Sequence, residues 1–386
     1  MPRPPNFHRE SITKAIEWLN AVAVPQRIEE VPLEQANGRL LARELSADAD
    51  CPTYATAAID GYAVIADDTI GASDYSPLPF RLVDASSEIE RSDAAPINAG
   101  DRLPEHATAV LPPELAERHP RGIEVSGTVA VGHGVIAIGE EFPAGQMLYG
   151  AGHRLRPQDL ALLARNGNTI VPVRAHPAIH LILAVHFERD ANGPMLKAAI
   201  QRDTGVPANM EHIDSHDALA SALSNALANG ADVTIVAGGA GRGADDVSVA
   251  TLADIGDMAI YGVALNPGES TALGHVGDMP VLLLPGQPLA CWCAYDMLAA
   301  YLVRRMAGRS PELPYATVQL PLARKVTSSI GQTEICRVRI SHDKVEPIAV
   351  AENRLLTTAT DAQGFVIVPE NSEGYPAGSV VTVHLY

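Results

Sequence analysis

Apolar and polar positions along this chain repeat with two different periods, and the changes between them divide it. Residues 8–24 place Ile12, Ala15, Ile16, Leu19 and Val22 at helical spacing behind Ser11, a capping residue, which predicts an amphipathic helix. From Val31 to Leu45 the pattern predicts a short helix broken at Asn37-Gly38, then a strand or second helix. Between 54 and 146, short runs separated by Gly and Pro predict strands at 62–65, 80–83, 107–111, 122–131 and 135–138, a β-rich stretch. A helix at 157–166 and a strand at 169–173 follow. At Pro177 the pattern becomes an alternation of β and α. Strands are predicted at 179–185, 206–213, 233–237, 259–265 and 281–284, and helices at 194–203, 217–228, from about 247, and at 289–306. Ser215 and Gly230 start and stop the second of these helices, and Arg304, Arg305 and Gly308 close the last. After a proline-bounded linker, Pro311 to Pro314, residues 316–386 alternate apolar and polar as an all-β tail.

The fold class this predicts is multidomain α/β. It has a central doubly wound α/β domain at 177–310, an inserted β-rich domain at 54–146 and an all-β domain at 315–386. A small mixed domain is made discontinuously from 7–53 and 147–176. Ligands of doubly wound sheets bind beyond the carboxyl ends of the strands. Three turns follow strands there: Gly238-Gly-Ala-Gly-Arg-Gly243, Asn266-Pro-Gly-Glu269 and Pro285-Gly-Gln-Pro288. The first has four glycines in six residues between a buried-type strand, Val233-Thr-Ile-Val-Ala237, and a helix that Asp245 or Asp246 can cap. That is either a plain tight βα turn or a cradle of backbone N–H groups for a phosphate-sized anion. It is neither a Walker loop nor a clean dinucleotide fingerprint. Asp214, Asp245 and Asp246 add the possibility of a divalent metal beside the anion.

Composition narrows the functional classes. Of the 386 residues 47% are hydrophobic but only 4% aromatic, so aliphatic side chains build the cores. A formal net charge of −18 argues against nucleic acid and anionic membranes as partners. Cys51, Cys291, Cys293 and Cys336 contain no CxxC spacing and read as reduced cytosolic thiols. No apolar run reaches about 18 residues and Met-Pro-Arg-Pro-Pro lacks a signal-peptide core, so a cytoplasmic protein is expected.

Seven stretches in order resemble the molybdopterin molybdotransferases, the family of bacterial MoeA and the gephyrin E-domain. Asn37-Gly-Arg-Leu-Leu-Ala42 is similar to the family's N-terminal segment, and Ala57-Ala-Ile-Asp-Gly-Tyr-Ala-Val64 to its Ser-Ala-Met-Asp-Gly-Tyr-Ala motif, the most specific match. Ile97-Asn-Ala-Gly-Asp-Arg-Leu-Pro104 resembles Thr-Gly-Ala-x-Leu-Pro, and Asp190-Ala-Asn-Gly-Pro-Met-Leu196 an Asp-Ser-Asn segment. Ala237 to Asp246 resembles the Ser-Gly-Gly-x-Ser-x-Gly-x-x-Asp loop; Asn266 to Glu269 and Pro285 to Pro288 stand in frame with Lys-Pro-Gly-Lys and Pro-Gly-Asn-Pro. The resemblance implies four domains, a homodimer, and a reaction that inserts molybdate into adenylylated molybdopterin with release of AMP, aided by Mg²⁺ or another divalent cation. Carried over, Asp60, Asp190 and Asp246 are the expected catalytic carboxylates, and Asp60, Asp214 and Asp246 the expected metal ligands. Gly238, Gly239, Gly241, Arg242, Gly243, Asn266, Pro267, Gly268, Pro285 and Gly286 are the expected ligand-binding residues.

The sequence departs from the family pattern where cations and hydroxyls are expected. Asn266 and Glu269 replace two lysines, Ala237 and Gly241 two serines, and Ala99 a threonine; Val135-Ile-Ala-Ile138 stands in place of arginines, and the Ser/Thr-Gly-Asp/Asn-Glu segment is absent. A glutamate for a lysine at an anion site converts attraction into repulsion. Arg242, Arg189 and Lys197 are candidate replacements. Two functions therefore compete: a divergent molybdotransferase, or a paralogue that binds molybdopterin or its nucleotide as a carrier or scaffold for a molybdoenzyme. A different phosphorylated ligand is the third reading.

Overall fold

The computed structural model describes residues 7–25, 27–85, 88–184, 189–240, 247–349 and 355–386. The chain forms two bodies. One is built from its first 27 residues together with Ala175–Tyr386, the other from Ile28–Arg174.

In the first body the chain runs α1 (Ile12–Ala21), β1 (Ala178–Leu183), α2 (Asn192–Arg202), β2 (Val206–His212), α3 (His216–Ala228), β3 (Val233–Ala237), α4 (Val247–Ile255), β4 (Asp257–Tyr261), β5 (Ala272–Val276) and β6 (Met279–Leu284). These strands make one sheet in the order β2-β1-β3-β6-β5-β4. The first four are mutually parallel. Val233-Thr-Ile-Val-Ala237 is wholly buried, as befits a largely apolar central strand. Its alternate side chains point to two cores: Val233, Ile235 and Ala237 pack with Leu196, Ile200 and the last helical segment, and Val236 packs with Leu219, Leu223, Val249 and Leu252.

Three features depart from the sequence reading. The predicted strand at 259–265 ends at Tyr261, and β5, which the pattern did not reveal, forms an antiparallel hairpin with β6. Its Gly274 lies so close to β4 that a Cβ there would sit 2.3 Å from the Asp257 carbonyl oxygen, which explains a glycine inside a strand. The predicted helix 289–306 is interrupted by a π-helical turn, Tyr295–Ala299, between Pro288–Ala294 and Ala300–Met306. Third, α1 was expected in the small N-terminal domain, yet Ala15 and Leu19 pack in the same core as β1, β3 and the last helix. Arg305 fixes this arrangement by donating to the carbonyls of Leu19, Asn20 and Val22, a cation on a helix C-terminus.

The all-β tail closes on the same body. Leu265–Asn266 pairs in parallel with Thr333–Ser341, which continues antiparallel into Gly364–Val368, Val380–Leu385 and Thr317–Pro321. The second body carries a six-stranded sheet, in spatial order Ala109–Leu111, Gly61–Val64, Asp93–Ile97, Leu78–Leu82, Gly122–Val125, Ala116–His119. It also holds the antiparallel pair Ile28–Pro32 with Ile170–Arg174 beside helix Pro157–Arg165. No described helix is long and apolar enough to cross a membrane.

Candidate functional site

The carboxyl ends of β1, β3 and β6 lie side by side. Ala184 N–H donates to the Ala237 carbonyl at 2.9 Å, and Gly238 N–H to that of Leu284 at 3.0 Å. Ala184 at the end of β1, Gly238 after β3 and Pro285-Gly286 after β6 therefore share one edge. Asn192, at the start of α2, reaches the last of these: its Nδ2 donates to the Gly286 carbonyl at 2.8 Å. Since β3 lies between β1 and β6, that bond ties together the two flanks of β3.

On the β1 side Asp190 holds the entry to α2. One carboxylate oxygen accepts from Gly193 N–H at 2.9 Å, and the other lies 3.4 Å from Nε2 of His212, the last residue of β2. A Cβ at position 193 would fall 2.1 Å from Asp190 Oδ2, so a larger residue there would push the carboxylate aside. The pair is open to solvent: the side chain of Asp190 is 22% exposed and that of His212 57%. On the β3 side, Ser248 Oγ donates to the Gly238 carbonyl and Ser248 N–H to that of Gly239, both at 2.9 Å, stitching the turn to the first residues of α4. Gly239 has φ +63°, and a Cβ would meet Ser248 Oγ at 2.4 Å, so this position needs glycine on both counts. Among the described residues the N–H groups of Gly239 and Ala240 have no hydrogen-bond partner. The site thus offers donors on one side, from the glycine turn, and acceptors on the other, from Asp190 and Asn192.

Gly238, Gly239, Pro285, Gly286 and Asp190 stand together on this edge. Asp214 follows β2 as an exposed residue; Ser215, rather than Asp214, caps α3, accepting from Ala218 N–H. Gly241, Arg242, Gly243, Asp245 and Asp246 lie outside the described residues. Asp60 belongs to the other body, where its Oδ1 accepts from Ala99 N–H at 2.8 Å and shapes the turn at Asn98–Asp101. Asn266, the first residue of the turn after Leu265, is held by its own partner. It is 8% exposed and its Nδ2 donates to Glu334 Oε2 at 2.9 Å, so its amide is committed to the all-β tail. Burial pushes the Glu334 carboxyl up from its usual range; the Asn266 bond and Arg337 oppose this, and the charge of Glu269 adds to it. Pro267 and Gly268 are buried beside Asn266. Arg189 and Lys197 are exposed. His212 and Asn192 were missed as site residues, although both carry a readable signal: each lies within three residues of the carboxyl end of a predicted strand or the start of a predicted helix.

No three His, Cys, Asp or Glu side chains among the described residues are grouped to hold a metal ion. Of the expected metal ligands, Asp60 and Asp214 belong to different bodies and Asp246 lies outside the described residues.

The far end of α2 is polar in a different way. Arg202 donates to Asp203, Asp296 and Tyr315, each at 2.7 Å, and its guanidinium lies 5.3 Å from the Trp292 ring centre and 5.5 Å from that of Tyr315. Asp203 also accepts from Arg304 at 3.0 Å and from Tyr295 at 3.2 Å. Asp296 accepts from Tyr315 at 2.7 Å.

Family descriptions match almost the whole chain: the MoeA N-terminal region (domains I and II) at residues 10–167, a probable molybdopterin binding domain at 178–305, and the MoeA C-terminal region (domain IV) at 319–386. A Methanocaldococcus jannaschii protein assigned provisionally to molybdopterin biosynthesis is 30% identical over 93% of this chain and 92% of its own. The molybdopterin molybdenumtransferase of Bacillus subtilis is 27% identical over 92% of this chain and 89% of its own. The crystal structure of a molybdopterin biosynthesis MoeA protein from Pyrococcus horikoshii superposes with a TM-score of 0.80 at 28% identity, covering 98% of this chain and 99% of that one. An edge of acceptors and glycine amides on a doubly wound sheet, set in a chain that matches from end to end, identifies this protein as a member of the MoeA family of molybdenum cofactor biosynthesis.

Proposed function

We propose that this chain is a molybdopterin molybdotransferase that inserts molybdate into adenylylated molybdopterin and releases AMP. The observation that carries the reading is the polarity of the edge over β1, β3 and β6. The glycine amides suit a phosphate or oxyanion, while Asp190 and Asn192 suit a heterocycle rich in N–H groups. Asp190 is the carboxylate positioned to orient an attacking water or a donor group of the substrate. Asp60 and Asp246 keep the catalytic roles that the resemblance implies, and Gly241, Arg242 and Gly243 the anion contacts. Mg²⁺ or another divalent cation, also implied by the resemblance, would draw on Asp214 or Asp60 together with phosphate oxygens of the substrate. The working form is proposed to be a cytoplasmic homodimer, with a molybdoenzyme or another cofactor-biosynthesis protein as the downstream partner.

A second reading draws on Asn266 and Glu269. With an amide committed to Glu334 and a carboxylate at the two positions where the family pattern has lysines, the chain would bind the pterin as a carrier without turning it over. One experiment separates the two. Purified protein is incubated with adenylylated molybdopterin, Mg²⁺ and molybdate, and AMP release and cofactor formation are followed. AMP release that disappears in Asp190→Ala supports the enzyme. Tight binding with no AMP release supports the carrier, and no binding at all overturns both.

A further inference from the structure

We infer that Asn192 is a specificity-determining residue whose side-chain oxygen reads an N–H donor on the ligand, which under the reading above is the pyrimidine edge of a reduced pterin. The inference rests on that reading for the identity of the ligand, and on the following geometry for the residue.

Asn192 is 1% exposed, and its Oδ1 has no hydrogen-bond partner among the described residues. The orientation of the amide is fixed, because flipping it would set Oδ1 against the Gly286 carbonyl oxygen that Nδ2 now meets at 2.8 Å. A buried acceptor left unpaired costs free energy, and a native fold retains one where a ligand or function supplies the missing partner. Other buried side-chain atoms without a partner include the Nε atoms of Arg39, Arg202 and Arg304, whose terminal nitrogens are bonded, and Ser328 and His384 in the all-β tail. Asn192 Oδ1 differs from these: it is an acceptor on the edge where α2 begins.

Two acceptors then come from residues two positions apart, the Asp190 carboxylate and Asn192 Oδ1. Asp190 retains lone pairs beyond its bond from Gly193. A pterin carries a ring N–H and an amino group on adjacent positions of its pyrimidine edge, a donor pair that matches two acceptors. The adenylate portion offers its phosphate to the glycine turn instead. A site built to pair with an N–H rejects a ligand lacking it more strongly than an apolar pocket can, since the acceptor is otherwise left buried and bare.

The test measures binding of adenylylated molybdopterin and, separately, of AMP to wild type, Asn192→Leu and Asn192→Asp, with the melting temperature of each. Asn192→Leu removes the acceptor and the bond to Gly286; Asn192→Asp also loses the bond, and sets a charged oxygen against the Gly286 carbonyl, but keeps an acceptor. The expected result is at least a tenfold weakening of adenylylated molybdopterin by Asn192→Leu, AMP affinity within twofold of wild type, and recovery of most of the loss in Asn192→Asp. If both ligands weaken together in both variants, Asn192 is a brace for the Gly286 turn and the inference fails while the function stands. Unchanged binding in both variants also overturns the inference while the function stands. If wild type binds AMP but shows no gain from the pterin, the proposed function fails and this inference with it.

Discussion

The two ends of α2, a helix of 11 residues, are polar in opposite ways. At the C-terminal end Arg202, Asp203, Tyr295, Asp296, Arg304 and Tyr315 exchange hydrogen bonds, and Asp203, Asp296 and Arg304 are each less than 5% exposed. At the N-terminal end Asp190 and His212 remain open to solvent and Asn192 keeps an unpaired oxygen. Charge alone does not tell a binding site from a structural hub; spare hydrogen-bonding capacity does. The hub binds the helix, the π-helical turn and the linker before the all-β tail into one piece. The open end keeps its donors and acceptors for something that arrives later.

That contrast can be broken at several points. Asp203→Ala has the largest expected effect, because it leaves Arg304 and part of Arg202 buried without a counter-charge. A loss of about 3–5 kcal/mol is expected in urea unfolding, and a loss below about 1 kcal/mol would show that the hub is not a structural unit. Asp190→Ala should do the reverse. Stability should stay within about 0.5–1 kcal/mol, as for a partly exposed capping group, while affinity for adenylylated molybdopterin falls at least about tenfold, which is 1.4 kcal/mol. Glu269→Lys should tighten binding of the anionic ligand about fivefold, roughly 1 kcal/mol for a partly exposed charge. Weakened binding would mean that Glu269 contributes to the site.

The smallest effect concerns pH. Burial holds the Glu334 carboxyl above its ordinary value of 4.5, so the folded chain binds this proton more tightly than the unfolded chain does. The contribution is full below about 4.5 and is lost as pH rises through the folded value. Stability measured across that window should therefore fall with rising pH in wild type, and Glu334→Gln should flatten the curve. An unchanged slope in the variant would assign the pH dependence to another group.

Local chemistry made most of the α/β body legible. Val233–Ala237 is mostly apolar and β-branched, Ser11 and Ser215 are caps, and the glycine turn sits between a strand and a helix. What stayed hidden depends on contacts remote in sequence. An apolar stripe on residues 12–21 predicts a helix but not which core receives it. Arg202 meets Asp296 across 94 residues, and Asp203 meets Arg304 across 101, so no window of sequence reveals the hub or the π-helical turn it accompanies. The mixture of Gly and His in Ala-Leu-Gly-His-Val276 conceals β5, whose glycine answers to the backbone of β4. Motif resemblance singled out Asp190 and Gly238-Gly239, which the fold brings to one edge of the sheet. It could not anticipate that Asn266 would be spent on Glu334, a partner 68 residues later.

The chain leaves the first body at Arg27 and re-enters it at Ala175, and Ala175 N–H donates to the Arg27 carbonyl at 2.9 Å. Departure and return thus meet at a single backbone hydrogen bond, so residues 28–174 occupy the position of a loop in an otherwise continuous fold. Excising them and joining the two cut ends with a few glycines should leave α1, the sheet and the tail intact, whereas beginning the chain at residue 28 would strip Ala15 and Leu19 from a finished core. Insertions and deletions in this lineage are accordingly expected to respect that junction and to spare the first helix.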